Sequence, residues 1–461
     1  MRSAILGILL LIPSVAGAQA APPKEGVGAA RVLPEVSLTD EMLAPPPQAQ
    51  RTIATWDEAM ALMRARTTDL RVAHDEIQRA EGQVRAALGA ALPAVVGQGS
   101  YTHQFIHAMS EQVIGGTAGN PVFGPYTAPQ PDVFSGSVQL TQPIISVEAW
   151  HAIGTAKASV EANQLSFDDL KRTVAASAAT AIVGILAAER VAELNRAGLR
   201  HAIERYQIAQ RKRQIGGGTI LDAVRVRRDI EIARASLLSG DDALLRAREA
   251  LGLALGIGGQ VGVASSVGIE DIERSCQKLA SLDDRADLAA GRKHLEVADR
   301  NVVDVYQQFL PTLSGIALLN WTDLDQGPVP ATNFSLEALL TVPIWDGGIR
   351  YGNLTQARAL RDETARTLEE QRRRAQVQVD QAERGVALAQ HERDVASAVR
   401  DLAAETDELT RLAYQTGQGT SLDLVVAAAE LRQADINLAL EEFGLVRARI
   451  GAVLSKARCP W

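Results

Sequence analysis

The sequence repeats itself once, and this repeat constrains the fold more than any other feature. LTQPI at 140–144 returns as LTVPI at 340–344, an offset of 200 residues. GGGTILD at 216–222 returns as GQGTSLD at 417–423, an offset of 201 residues. Because a constant offset means that one structural unit is used twice, each half is predicted to contain a helix, two strands, a very long helix, a glycine-rich turn and a returning helix.

The repeat defines the predicted domain boundaries. Each copy contains two strands and one helical hairpin, and shorter segments precede, separate and follow the copies. The first repeat is 52–256, with strands at about 94–105 and 132–142 and a hairpin at about 147–256. The second repeat is 285–456, with strands at about 312–321 and 332–342 and a hairpin at about 348–455. An inter-repeat segment, 257–284, lies between them, and a C-terminal tail, 457–461, follows.

The N-terminus has the parts of a secretory signal peptide. Arg2 precedes an apolar run that is too short to span a membrane, and an A-x-A cleavage site follows. The alternative, an N-terminal anchor helix, is disfavoured by Pro13 and Gly17. Residues 1–20 are therefore predicted to be removed on export, and residues 21–51, rich in Pro, Ala and Gly, to be a linker.

The predicted strands are two-faced. In 334–342, apolar side chains alternate with Ser335, Glu337 and Thr341, and 134–141 alternates in the same way. Each strand has about ten residues, the length of a tilted membrane-crossing strand. A half-buried strand of a soluble protein has the same period, so alternation alone leaves both alternatives open.

The number of strands bears on assembly. One chain supplies four strands, which cannot close a barrel, whereas two chains give eight and three give twelve. If the strands enter a membrane, lipid excludes open sheet edges. A trimer with twelve strands closes the sheet and leaves room for a lumen.

Each second strand is followed by a predicted helix of unusual length. From Gly348 to about Gln415 the chain contains no proline, and the segment from about Val147 to Arg213 is as long. As a helix, such a segment spans roughly 100 Å. Helices of this length bury narrow seams rather than a compact core, and their Ala and Leu stripes indicate coiled-coil packing.

The sequence shows no catalytic or metal-binding pattern. Its seven histidines lack metal-ligand spacing, and the glycine motifs lack the Lys of a phosphate loop. These motifs instead predict tight turns, with Thr219, Thr420, Asp222 and Asp423 as caps of the returning helices. The formal charge is −8, or −9 once the signal peptide removes Arg2, which gives no support for a nucleic-acid partner. We expect no cofactor, no metal and no enzymatic activity.

On these motifs the chain resembles the outer-membrane factor family of the TolC type. The resemblance covers about 52–457. It is based on the two-fold repeat and on four motifs: LTQPI, LTVPIWDGG, DRADLAAGRKHLEVADRNV and YQTGQGTSLDLVVAAAELRQADINLALEEF. It implies a mainly α protomer with a transmembrane β-barrel: a homotrimer joins twelve strands in outer-membrane lipid and twelve helices in a periplasmic tunnel. The implied function is a passive exit duct of a tripartite efflux or type I secretion system, with a periplasmic adaptor and an inner-membrane pump as partners.

The resemblance assigns a docking role to the two turns. They correspond to the periplasmic tips at which the adaptor binds, and their residues are Gly216, Gly217, Gly218, Thr219, Gly417, Gly419 and Thr420. The alternative is that these residues serve turn geometry only. Both hold together if the adaptor contacts exposed backbone at the tips.

The resemblance also implies a gate near the second tip. The family closes its tunnel there with two acidic positions, of which Asp423 matches the first, while the second falls near Val426. Cation block is therefore expected to be weaker here. Tyr414 matches a residue that holds the closed state by hydrogen bonding, and Asp222, the counterpart of Asp423, completes the candidate gate residues. The alternative is that Asp423 has no role in a gate and is only a negative charge at the start of a helix, where it interacts with the helix dipole.

Three further expectations follow from the resemblance. Residues 257–284 and the tail would share an equatorial layer, which brings Cys276 near Cys459 and leaves a disulfide or two free thiols as alternatives. Residues 106–131 would face the cell exterior. Four aromatic residues near strand ends are candidate anchors at the lipid interface, with ordinary core packing as the alternative: Tyr101, Phe134, Trp321 and Phe334.

Two other classes of protein are less consistent with the sequence. A periplasmic coiled-coil adaptor or scaffold has one hairpin flanked by lipoyl-like and barrel strands, whereas this chain repeats its hairpin and lacks those strands. An exported enzyme needs convergent polar side chains, for which the sequence has no motif.

Overall fold

The structure is a computed structural model. It describes residues 40–106, 113–124, 131–264, 276–323 and 330–459, together with Asp271 and Arg274. The architecture below belongs to one unit, Met42–Trp461. The other unit, Met1–Glu41, contributes only Asp40 and Glu41 to the described residues. The predicted signal peptide and most of the predicted linker lie outside them.

Four strands form the main sheet of the molecule. The strands in the described part of the chain are β1 (Arg51–Ile53), β2 (Ala94–His103), β3 (Val113–Thr117), β4 (Asn120–Phe123), β5 (Asp132–Ile145), β6 (Val261–Val263), β7 (Gln277–Lys278), β8 (Thr312–Thr322), β9 (Thr332–Thr341) and β10 (Ala457–Arg458). The main sheet is antiparallel, with the order β2-β5-β8-β9. Each repeat thus pairs its own two strands, β5 and β8 join the repeats, and β2 and β9 are the edges.

Two helical hairpins follow the sheet. The helices within the described ranges are α1 (Trp56–Arg66), α2 (Thr68–Ala91), α3 (Val147–Gln214), α4 (Ile220–Ala254), α5 (Ala286–Gln307), α6 (Ile349–Thr416) and α7 (Ser421–Ser455). The long helices α3 and α6 each have 68 residues, and the returning helices α4 and α7 each have 35. The hairpins α3–α4 and α6–α7 contact each other mainly through α3 and α7.

The junctions between strand and helix differ in the two repeats. The second strand of the first repeat was predicted to end at about 142, before Pro143, but β5 continues to Ile145, and Ser146 caps α3. The ladder to β8 shifts register between Pro143 and Ile145. A proline at such an irregularity removes little from the ladder, so the strand passes through it. In the second repeat β9 ends at Thr341, before the proline.

The segment that was expected to face the cell exterior contains a short hairpin. Within the predicted loop 106–131, β3 and β4 pair as a short antiparallel hairpin. β2 ends at His103, two residues before the expected boundary of 105. The remainder of that segment, most of the connection between the two strands of the second repeat at 322–331, and residues 460–461 of the tail lie outside the described residues.

The main buried cluster joins segments that are far apart in sequence. It includes Trp56 of α1, Ile182 of α3, Leu251 of α4 and both cysteines. Among the described residues, α3 alone is long and apolar enough, by length and composition, to cross a membrane. Its apolar residues supply part of this cluster, so burial within the protein accounts for them.

A clasp, defined as β7, β10 and the disulfide between Cys276 and Cys459, connects the inter-repeat segment to the C-terminal tail. β7 and β10 are antiparallel, and the disulfide joins residues separated by 183 positions. Arg458 Nη2 lies 2.6 Å from Asp168 Oδ2 on α3, and Lys456 forms an ion pair with Glu383 on α6. The segment 456–458 is thereby attached to both long helices.

Candidate functional site

Both glycine-rich turns fold in the same way. Just after the ends of the long helices, Gly216 and Gly417 have φ of +81° and +83°, a conformation that brings the Cβ of any other residue too close to the following carbonyl. In each turn the residue that follows this glycine donates its N–H to a carbonyl of the preceding helix end at 2.9 Å. Gly217 donates to the carbonyl of Lys212, and Gln418 donates to that of Ala413. These bonds satisfy carbonyls that the helix ends leave free.

The last glycine of each turn lies close to the backbone of the preceding helix end. A Cβ on Gly218 would lie 3.2 Å from the nitrogen of Arg213, and one on Gly419 would lie 3.0 Å from the nitrogen of Tyr414. The first glycines and the threonines of both turns are exposed, whereas Gly218 and Gly419 are half-buried. The turns therefore present mostly backbone and hydroxyl groups.

Each returning helix begins with a reciprocal capping box. Thr219 Oγ1 accepts from the N–H of Asp222 at 3.2 Å, and Asp222 Oδ2 accepts from the N–H of Thr219 at 2.9 Å. The corresponding distances for Thr420 and Asp423 are 3.2 and 3.1 Å. The Thr420 hydroxyl lowers the pKa of Asp423. The capping predicted from the motif is present in both repeats.

Two contacts link the hairpins at their tips. The Ser421 hydroxyl donates to Asp222 Oδ1. Lys212 Nζ donates to the carbonyl of Tyr414 at 2.6 Å and lies 4.2 Å from the centre of its ring. The Ser421 hydroxyl is the largest cause that lowers the pKa of Asp222. We call these four residues the tip cluster.

Tyr414 is the buried member of the tip cluster. Its side chain is 3% exposed, and its hydroxyl makes no hydrogen bond to a described residue. Burial, and then the charge of Asp222, raises the pKa of this hydroxyl. Asp423 is exposed instead, and its hydrogen bonds within the described chain all go to Thr420. Of the three candidate gate residues, the protomer therefore brings Tyr414 and Asp222 together.

Lys212 and Ser421 were not among the residues predicted from the sequence. Their counterparts at the repeat offset are Ala413 and Ile220. The two hairpins are thus linked where a polar residue in one repeat replaces an apolar residue in the other. Such differences between the two repeats were the sequence feature from which these two residues could have been predicted.

The register of the main sheet separates apolar from polar side chains. On one face, neighbouring residues from β2 to β9 are Val95, Leu140, Ala317 and Leu336. On the other face, neighbouring residues are Gln98, Ser137, Asn320 and Asn333. These last four residues help to line a hollow of about 810 Å³. The sheet therefore has one face suited to lipid and one suited to water.

The four candidate anchor aromatics lie on the apolar face, toward the strand ends remote from the long helices. Tyr101 is opposite Phe134, with ring centres 4.9 Å apart, Trp321 is opposite Gly136, and Phe334 is opposite Leu319. All four side chains are about half exposed. They are not buried in a core of the protomer.

A second group of exposed aromatics lies where strands meet helices, and the sequence analysis did not identify it. Its members are Trp150, Trp345 and Tyr351. In the second repeat this junction is held by Arg350, whose Nε lies 2.8 Å from Asp346 Oδ2 and whose guanidinium lies 4.9 Å from the centre of the Phe309 ring. The available signal was the position of two of the five tryptophans beside the strand-to-helix motifs.

Within the described residues, no group of three or more His, Cys, Asp and Glu is placed to hold a metal ion. The polar side chains instead form helix caps, ion pairs and one face of a sheet.

Solved structures with the same fold are outer-membrane channels. The VceC protein of Vibrio cholerae matches with a TM-score of 0.70 and 17% identity over 87% of this chain and 96% of VceC. CusC matches with a TM-score of 0.72 and 19% identity over 92% of this chain and 99% of CusC. CmeC of Campylobacter jejuni matches with a TM-score of 0.70 and 16% identity over 93% and 94% of the two chains. The fold is therefore that of an outer-membrane channel.

Comparison of the sequence with protein-family models also indicates an outer-membrane protein. The model of the outer membrane efflux protein family matches residues 60–257 and 280–450. The chain belongs to this family, which consists of outer-membrane channels and not of enzymes. The expected family resemblance is confirmed. No curated protein sequence matches this chain.

Proposed function

We propose that this protein is a passive exit duct, formed by three copies, in a tripartite efflux or type I secretion system. The observation that carries the proposal is the main sheet, which has one apolar face, one polar face and two open edges. Pairing β9 of one copy with β2 of the next closes twelve strands around a polar lumen. Closure leaves no open edge in lipid.

In this proposal the long helices continue the duct through the periplasm. Helices of 68 residues span roughly 100 Å. Three copies supply twelve helices to the wall of the duct, six of 68 residues and six of 35 residues. Energy for export comes from an inner-membrane pump. A periplasmic adaptor joins the pump to the duct by binding the exposed backbone and threonines of the two turns.

The proposed gate consists of two parts. Three copies of Asp423 form a carboxylate ring at the tips, which attracts cations and whose members repel one another. The contacts of Asp222 with Ser421 and of Lys212 with Tyr414 hold the second hairpin against the first. Because Val426 adds no second acidic ring, cation block at the tips is weaker than with two rings.

Single-channel recording of the mature protein in planar bilayers tests the duct and the gate. Asp423→Ala removes charge and cap together, whereas Asp423→Asn removes the charge and keeps an oxygen for capping. We expect a small, cation-selective conductance in the wild type that rises in both variants. A rise in Asp423→Ala alone would assign the effect to the cap. Unchanged conductance in both variants would move the gate elsewhere.

The same recordings test the membrane assignment. A well-folded trimer that neither inserts nor conducts would refute the duct and favour a periplasmic scaffold.

A further inference from the structure

The main sheet has one ionisable group on its polar face. Apart from tyrosine, the ionisable residues in β2, β5, β8 and β9 are His103, Asp132 and Glu337. His103 and Asp132 lie at the strand ends remote from the helices, and their side chains contact each other at 2.6 Å. Glu337 lies in the middle of β9, where it is opposite Ile316. Within these four strands, Glu337 is therefore the one charged side chain, tyrosine apart, on the polar face.

The Glu337 carboxylate is not neutralised within the protomer. Its side chain is exposed, and it forms no hydrogen bond or ion pair with a described residue. Register places it in a row with Thr141 and Ile316, on the same face as the row that contains Ser335 and Gln139. All of these neighbours are uncharged, so none of them forms an ion pair with the carboxylate.

We propose that Glu337 is a selectivity-determining residue of the barrel: three copies form a carboxylate ring in the lumen, separate from the tips, that favours cations over anions. This inference rests on the trimeric duct proposed above. Rings of acidic side chains give cation selectivity because they raise the local cation concentration. The ring is formed on strands, so movement of the helical tips does not displace it.

The size of the effect follows from geometry and screening. In a twelve-stranded barrel the carboxylates lie roughly 8–12 Å from the axis. The Debye length at 0.15 M salt is about 8 Å, so three charges at this distance still act on an ion at the axis. We expect loss of the ring to lower the cation-to-anion permeability ratio by roughly two- to sevenfold at 0.15 M salt, and by much less at 1 M.

Reversal potentials in a KCl gradient test the ring. Glu337→Gln is compared with the wild type and with Asn333→Ala, an uncharged change on the same strand and face. Each is also made together with Asp423→Asn, so that the tip ring does not mask the barrel. We expect Glu337→Gln to lower cation selectivity in both backgrounds and Asn333→Ala to leave it unchanged. Equal selectivity of all variants in a conducting channel would overturn the inference and leave the duct intact.

Cysteine accessibility tests which way the residue faces. Both native cysteines form the disulfide, so an introduced thiol is the single target. Glu337→Cys is compared with Leu336→Cys, its neighbour on the opposite face. We expect a water-soluble, membrane-impermeant thiol reagent to modify the first variant and not the second, and a positively charged adduct at 337 to reverse the selectivity. Modification of the second variant alone would overturn the inference. A wild type without conductance would refute the duct itself.

Discussion

Replacing both cysteines with serine tests whether the clasp stabilises the protomer through loop closure. The disulfide closes a loop of 183 residues. In the chain-entropy model a loop of this length raises the free energy of unfolding by about 5 kcal/mol, while measured disulfides usually contribute about 2–4 kcal/mol. The double variant Cys276→Ser with Cys459→Ser also avoids leaving a reactive thiol.

The expected change in melting temperature follows from the size of the chain. Unfolding entropy is about 2.1 cal/mol/K per residue, so about 400 residues give roughly 0.8 kcal/mol/K. A loss of about 2–5 kcal/mol then lowers the unfolding midpoint by roughly 2–6 °C. Circular dichroism at a helical wavelength measures this midpoint, and hydrogen exchange at 277–279 and 456–458 measures local opening of the clasp.

A control separates the disulfide from the surface contacts of the clasp. Arg458→Ala removes the ion pair with Asp168, in which the arginine is half exposed; such a pair contributes at most about 1 kcal/mol. We expect its midpoint to fall by less than about 1 °C. An unchanged midpoint and unchanged exchange in the double serine variant, with the wild-type disulfide verified by mass, would refute the loop-closure argument.

Three further predictions concern the hairpins and their tips. Asp229→Asn should lower the free energy of unfolding, measured in urea, by about 3–5 kcal/mol, because Asp229 is buried and pairs with Arg205 at 2.7 Å. Gly417→Ala should cost about 1–2 kcal/mol, because φ is +83° there while nothing lies within 4 Å of the new Cβ. The folded pKa of Asp222 is lowered, so its stabilising contribution is complete at neutral pH and is lost as pH falls below about 4. The rate of proteolysis at the tips, measured across this pH range, reports that loss. Ser421→Ala should make the proteolysis rate less dependent on pH.

Each of these predictions has a matched control. Asp435→Asn breaks a more exposed pair with Arg400 and should cost at most about 1 kcal/mol; an equal cost for Asp229→Asn would contradict the burial argument. Gly385→Ala, in an open position within α6, should not destabilise the protein; if it does so as much as Gly417→Ala, positive φ is not the cause. Acid sensitivity unaffected by Ser421→Ala would exclude that hydroxyl as the source.

Local chemistry made the repeated unit predictable. The motifs that recur at an offset near 200 specify turns and caps through residues that are close in sequence, such as Thr420 and Asp423. A capping box or a positive-φ glycine acts within one helical turn, so its residue types identify it without knowledge of the rest of the fold. The same reasoning was less accurate at Pro143, where pairing with β8 extends the strand beyond the proline.

Contacts between the repeats were not predictable in this way. Ser421 meets Asp222 across 199 positions, and Lys212 meets Tyr414 across 202. Nothing in a local window indicates which polar residue of one hairpin faces which residue of the other. The alternation of each strand was visible, but it did not establish that four strands place their apolar residues on the same face.

The sequence by itself determined the unit of this protein: two strands, a helix of about a hundred ångströms and a capped turn, used twice, because periodicity and turn chemistry act over short distances. The tertiary structure decided how the two units combine. Register across β5 and β8 puts Leu140 beside Ala317 and Ser137 beside Asn320, and a shift of one residue would exchange the two faces. That register depends on pairing between strands far apart in the chain, and it creates the two-faced sheet on which the proposed duct is based.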